Sequence, residues 1–140
     1  MVTTNVGRTA QPVIDSSADA TDMPSTCAGA RAIITALLQR CSKDTRQVEQ
    51  DAHLAASELV SNALKHAGGL TGFRADLSPD ATRLRLQVED ADPRPPRSRK
   101  DADLVQPGGR GWTIVKRLAA TCSVALLPNA GKRITVTLAV

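Results

Sequence analysis

The spacing of apolar and polar positions changes period along the chain. Ile33, Ile34, Leu37, Leu38 and Cys41 recur three and four residues apart, which predicts a helix over about 25–41 with the Ser25 hydroxyl as its N-cap. Ser42, Lys43 and Asp44 interrupt the pattern. Asp44 is placed to cap a second helix whose Val48, Ala52, Ala55, Leu59 and Ala63 form one stripe, and Gly68-Gly69 stop it. The period then falls to two. Thr71, Phe73, Ala75 and Leu77 alternate with Gly72, Arg74 and Asp76, and after Ser78-Pro79-Asp80, Leu84, Leu86 and Val88 alternate with Arg83, Arg85, Gln87 and Glu89. This is a hairpin with one wet face.

Residues 91–108 hold four of the eight prolines together with Arg94, Arg97, Arg99 and Lys100, with no periodic apolar face. A loop this long is expected to be a lid, a binding loop or disordered. After Gly108-Gly109-Arg110-Gly111, the positions of Trp112, Val115, Leu118 and Ala119 predict a third, short helix. Residues 123–127 and 133–140 predict a closing hairpin around Pro128-Asn129-Ala130-Gly131, with Ile134, Val136, Leu138 and Val140 on one face. Short connections make both strand pairs antiparallel. The order helix, helix, two strands, loop, helix, two strands therefore gives an α+β two-layer sandwich, a mostly antiparallel sheet with helices on one face. Residues 1–23 read as a flexible N-terminal arm in which Val13-Ile14 is a candidate edge strand, and residues 24–140 as one domain.

Composition narrows the partners. At 140 residues only one domain fits, and 41% hydrophobic with 23% charged residues is ordinary globular usage. Phe73 and Trp112 are the only aromatics, which argues against a stacking platform for single-stranded nucleic acid. A formal charge of +4 favours anionic partners. Cys27, Cys41 and Cys122 have no paired spacing and, with His53 and His66, complete no zinc pattern, so they read as reduced thiols. With no apolar run of membrane-spanning length and no signal-peptide layout, a cytoplasmic protein is expected, with no membrane and no direct nucleic acid among its partners.

Three short segments carry candidate chemistry. In Glu58-Leu59-Val60-Ser61-Asn62 the carboxylate and the amide stand four apart, on neighbouring turns of one helix face. They suit a Mg²⁺ and phosphate site, an amide oxygen as hard ligand and a carboxylate as base. The plainer alternative is a satisfied core amide beside a solvated acid. Lys65 and His66 complement the negative end of that helix. Asp90 ends a strand at the mouth of the sheet, where its oxygens can accept from the exocyclic amine of a purine or bond their own loop. Gly109, Arg110 and Gly111 open a helix whose bare amides can face an anion, with Arg110 as a possible fork to a phosphate, although a plain turn has the same sequence.

In type, order and spacing these segments resemble the GHKL ATPase superfamily, most closely the small bacterial anti-sigma regulatory factors that are serine/threonine protein kinases. ELVSNALKHA resembles the N box, VEDADP an adenine-contacting box, GGRGWTIVKRLA the glycine box after an ATP lid, and GKRITVTL the final strand. The resemblance covers about 25–140 and implies a Bergerat-type fold with ATP and Mg²⁺ as cofactors. It implies that Asn62 ligates Mg²⁺, that Glu58 is the general base and that Asp90 bonds the adenine amine. Gly109 and Gly111 would line the phosphates, Arg110, Lys65 and His66 would stand on the nucleotide side, and Arg97 and Arg99 are further phosphate candidates. The implied activity is ATP-dependent phosphorylation of a Ser or Thr on an anti-anti-sigma (STAS-type) partner, with a sigma factor as a second partner and a homodimer left open. Where many relatives carry glycine two residues after the aspartate, this chain has Asp92-Pro93. That motivates the alternative of a non-catalytic protein-binding module on the same fold; nucleic-acid binding through the basic loop is a third reading.

Overall fold

A computed structural model of the chain describes residues 24–66, 68–96 and 110–140, and for His66 and Arg110 the backbone alone. Thr26 opens the first helix: its side chain accepts from Gly29 N at 3.0 Å, and α1 runs Cys27–Leu38. The expected cap, Ser25, stands one residue too early. The helix also ends before Cys41, because the amides of Arg40 and Cys41 bond three residues back, to Leu37 O and Leu38 O, tightening the last turn.

Asp44 accepts from the amide of Arg46, the first residue of α2 (Arg46–His66), at 3.0 Å. The buried residues of α2 include Val48, Ala52, Ala55, Ala56, Leu59, Val60 and Ala63. Four of these seven are alanines, and so slim a stripe lets neighbouring backbones approach closely. Between the helices, the Thr35 hydroxyl donates to Glu49 Oε2 at 2.9 Å and shares a second 2.9 Å bond with His53 Nε2. Gly68 and Gly69 end α2 at φ of 75° and 115°, and Gly69 N closes on Ala63 O.

The strands are β1 (Leu70–Leu77), β2 (Arg83–Asp90), β3 (Thr121–Leu126) and β4 (Lys132–Ala139), with α3 (Arg110–Leu118) between β2 and β3. They form one antiparallel sheet in the order β1-β2-β4-β3. At the central β2–β4 seam Leu84, Leu86 and Val88 face Leu138, Val136 and Ile134. All six are buried in one core with Ile34, Leu38, Leu59, Phe73 and Val115. The helices thus cover one sheet face and α3 packs on α2, which is the expected two-layer α+β arrangement.

Two details differ from the alternation. On the polar face of β1, Asp76 is buried, because Arg85 on β2 clamps it with Nε to Oδ1 at 3.0 Å and Nη2 to Oδ2 at 2.6 Å. On the core face of β3, Val124 and Leu126 are exposed, Leu126 at 70%. The Val13-Ile14 strand and most of the 91–108 loop lie outside the described residues.

Candidate functional site

Helix α2 sets one wall. Glu58 and Asn62 are both half-buried, on successive turns of the face that meets α3. Among the described residues neither side chain has a hydrogen-bond or ion-pair partner. A half-buried amide or carboxylate left this way is suited to a ligand or to water, since an unmet polar group costs about 1–3 kcal/mol.

The second wall is the start of α3. Gly111 presses against Glu58: a Cβ at position 111 would overlap Glu58 Oε1 and lie 3.4 Å from Glu58 Cβ and Cδ. Only a hydrogen leaves room there. The structure therefore brings the glycine turn and the Glu58–Asn62 face together, across 53 residues of sequence (111 − 58). The first amides of α3 have no partner within the helix and carry its positive end. The Glu58 carboxylate takes the space a side chain at 111 would need, and its oxygens with that of Asn62, on the face that meets the first amides of α3, are a donor set suited to Mg²⁺ and a polyphosphate.

Asp90 ends β2 on the core-facing side, in register with Lys132 of β4. It does not stand open. Lys132 Nζ lies 3.1 Å from Oδ1 and 3.0 Å from Oδ2, with the two side chains only 6% and 4% exposed. The same ammonium donates to Asp92 O at 3.0 Å, and Asp92 N donates to Asp90 Oδ1 at 2.9 Å. So Asp90 does bond its own loop, and in addition holds a buried cation. Gly131 makes this possible, since a Cβ there would collide with Asp90 O. Asp92 in turn takes the Arg94 guanidinium in a fork, Nε to Oδ1 at 3.0 Å and Nη2 to Oδ2 at 2.6 Å. That side-chain bond, then the Arg94 backbone amide, hold the Asp92 carboxyl well below the usual carboxylate range.

Of the other expected site residues, Lys65 is exposed on the last turn of α2. Gly109, Arg97 and Arg99, and the side chains of His66 and Arg110, lie outside the described residues. Among the described residues no three His, Cys, Asp or Glu side chains gather into a metal cluster. None of the helices described is long and apolar enough to cross a membrane.

Lys132 and Gly131 received no role in the sequence reading. The signal was present: Asp90 extends the alternation Leu84, Leu86, Val88, and Lys132 precedes Ile134, Val136, Leu138 by the same step of two. Both charges fall on inward positions of neighbouring strands, and buried charges are found paired.

The family model for the histidine kinase-like ATPase domain matches residues 20–138. Among solved structures, the chain is similar to the histidine kinase domain of the blue-light activated histidine kinase from Erythrobacter litoralis EL346, at 20% identity and a TM-score of 0.49. That similarity covers 80% of this chain, which spans 63% of the length of the other. No curated protein matches the sequence.

Proposed function

The chain belongs to the histidine kinase-like ATPase domain family, and from that premise we propose that it is an ATP-dependent regulator that phosphorylates a Ser or Thr of an anti-anti-sigma partner in the cytoplasm. The observation that carries this reading is the contact of Gly111 with Glu58, beside an Asn62 amide with no partner among the described residues. A carboxylate and an amide oxygen on the helix face that meets the start of α3 support the reading, since phosphoryl transfer uses a base, a hard oxygen ligand and backbone amides held together.

In this reading Asn62 Oδ1 would hold Mg²⁺, which would neutralise charge on the phosphate oxygens. The amides at the start of α3 would receive the phosphates, and the missing side chain of Gly111 lets the Glu58 carboxylate approach that helix start. Glu58 accepts the proton of the partner's hydroxyl as its oxygen attacks the terminal phosphorus. The bond to the bridging oxygen breaks, giving ADP and a phosphorylated partner. The added charge of about −2 on the partner then disrupts its fit to this chain, and the released regulator is free to sequester a sigma factor.

The test is transfer of labelled phosphate from Mg·ATP to STAS-type proteins of the same cell, by wild type and by Glu58→Gln. Wild type is expected to label the partner, and Glu58→Gln to bind ATP but label it at least about a hundredfold more slowly. Equal labelling by the variant removes Glu58 as the base. Binding by the wild type without labelling of any such protein leaves the non-catalytic binding module.

A further inference from the structure

We infer that Lys132 is a specificity-determining residue that admits a base offering a single amine donor and rejects guanine, an inference that rests on the reading of Asp90 as the base-recognising carboxylate. An ionised carboxylate has about four lone-pair positions. Oδ1 accepts from Asp92 N and from Lys132 Nζ, and Oδ2 lies 3.0 Å from the same Nζ. Among the described residues Oδ2 accepts no hydrogen bond.

The ammonium is held in place as well. It donates to Asp90 Oδ1 at 3.1 Å and to Asp92 O at 3.0 Å, and lies 3.0 Å from Asp90 Oδ2 as an ion pair. What meets an incoming base is therefore Oδ2 as acceptor, on a carboxylate whose two oxygens already share one cation. Adenine matches it with one N–H of its exocyclic amine. Guanine presents N1–H and the 2-amino group as a parallel donor pair, which needs both carboxylate oxygens at once, and Nζ already sits between them.

A bare aspartate would behave in the opposite way, since two free oxygens take the guanine donor pair in a bidentate bond stronger than a single one. Charge removal at 132 should therefore shift the site toward guanine. The shape of the strand end favours this role. Gly131 lets the β4 backbone close on Asp90 O, which sets Lys132 directly opposite Asp90 in register. Leu126 of β3 is opposite Lys132 in register on the other side and is exposed.

The experiment is calorimetric titration of Mg·ADP and Mg·GDP into wild type, Lys132→Met, Lys132→Gln and Lys132→Arg at about pH 8, well above the ordinary range of a carboxylate. Wild type should prefer ADP by at least about tenfold, and Lys132→Met should lower the ADP-to-GDP preference by about tenfold or more. Lys132→Gln should move it the same way by less, and Lys132→Arg, which keeps a cation on both oxygens, should retain it. The preference is a ratio within each protein, so a purely structural loss that weakens both nucleotides leaves it unmoved. An unchanged ratio in the neutral variants, or an equal shift in Lys132→Arg, overturns the inference while ADP binding keeps the proposed function. GDP binding wild type as tightly as ADP overturns it without any variant, and wild type binding neither nucleotide overturns both.

Discussion

Two aspartates end up buried in this sheet, and their surroundings separate a carboxylate clamped across two strands from one tied to a loop, which in the proposed function would meet the base. Asp76, 5% exposed, lies on the polar face and is clamped on both oxygens by Arg85, itself 36% exposed. Asp90, 4% exposed, lies on the core face at the strand end, and its cation Lys132 is as buried as it is. The Arg85 fork uses the carboxylate fully and keeps one side in water. The Lys132 contact ties the acid to the loop that follows, and Oδ2 accepts no hydrogen bond among the described residues. The same residue type in the same sheet is thus a cross-strand staple in one place and a strand-to-loop anchor in the other.

The largest effect that tests the contrast is at Asp90. Asp90→Ala strands a buried ammonium and should cost about 3–5 kcal/mol in urea unfolding. A cost near zero would mean that Lys132 swings out to water and that the pair is not a fixed part of the core.

Asp76→Ala should be milder, about 1–2 kcal/mol, because the Arg85 head already reaches solvent and can hydrate when its partner goes. Its nucleotide affinity should stay at the wild-type value. If Asp76→Ala destabilises as much as Asp90→Ala, the distinction between the two pairs fails.

Gly111→Ala comes next, and it probes the site without touching either aspartate. Its methyl must displace the Glu58 carboxylate, the movable end of a half-buried side chain, so at most about 1 kcal/mol of stability should be lost. Nucleotide affinity should fall with it, and Gly111→Ala combined with Glu58→Ala should recover the stability but not the affinity. Recovery of both by the double variant would show that the glycine serves packing alone.

The smallest effect comes from the exposed acids, which set the baseline for both aspartates. The Asp44 carboxyl is lowered from 3.8 to about 2 by the Arg46 side chain and amide, and Asp80 from 3.8 to about 2 by Thr82 and Ser78. Because the folded values are depressed, their contribution is complete above the unfolded value and is lost as pH falls from about 4 toward about 2. Acid unfolding followed by circular dichroism should therefore begin in that window. Asp44→Asn and Asp80→Asn should each flatten the pH dependence there.

Most of the fold was legible because the core is built from periodic apolar positions. The stripe of α2 and the alternations of β2 and β4 state which face is buried before any contact is known. Helix ends were less legible, since Ser25 and Thr26 are chemically equivalent caps and only the Gly29 amide chooses between them. Within the site, the pairing of Gly111 with Glu58 was legible only through resemblance to a family, because no local rule joins positions so far apart. The Lys132–Asp90 pair was legible in principle from two inward positions bearing opposite charge. It was missed because a register between β2 and β4, across a long loop and a helix, has to be known before the two positions meet.

The central claim is that the face of α2 carrying Glu58 and Asn62, closed by Gly111, holds the magnesium and phosphates of a nucleotide. Calorimetric titration of ATP into wild type and Asn62→Ala, with and without Mg²⁺, tests it most directly. Wild type should bind at least about tenfold more tightly when Mg²⁺ is present, and Asn62→Ala should lose that gain while keeping its wild-type unfolding midpoint. Equal, magnesium-dependent binding by both proteins would contradict the account.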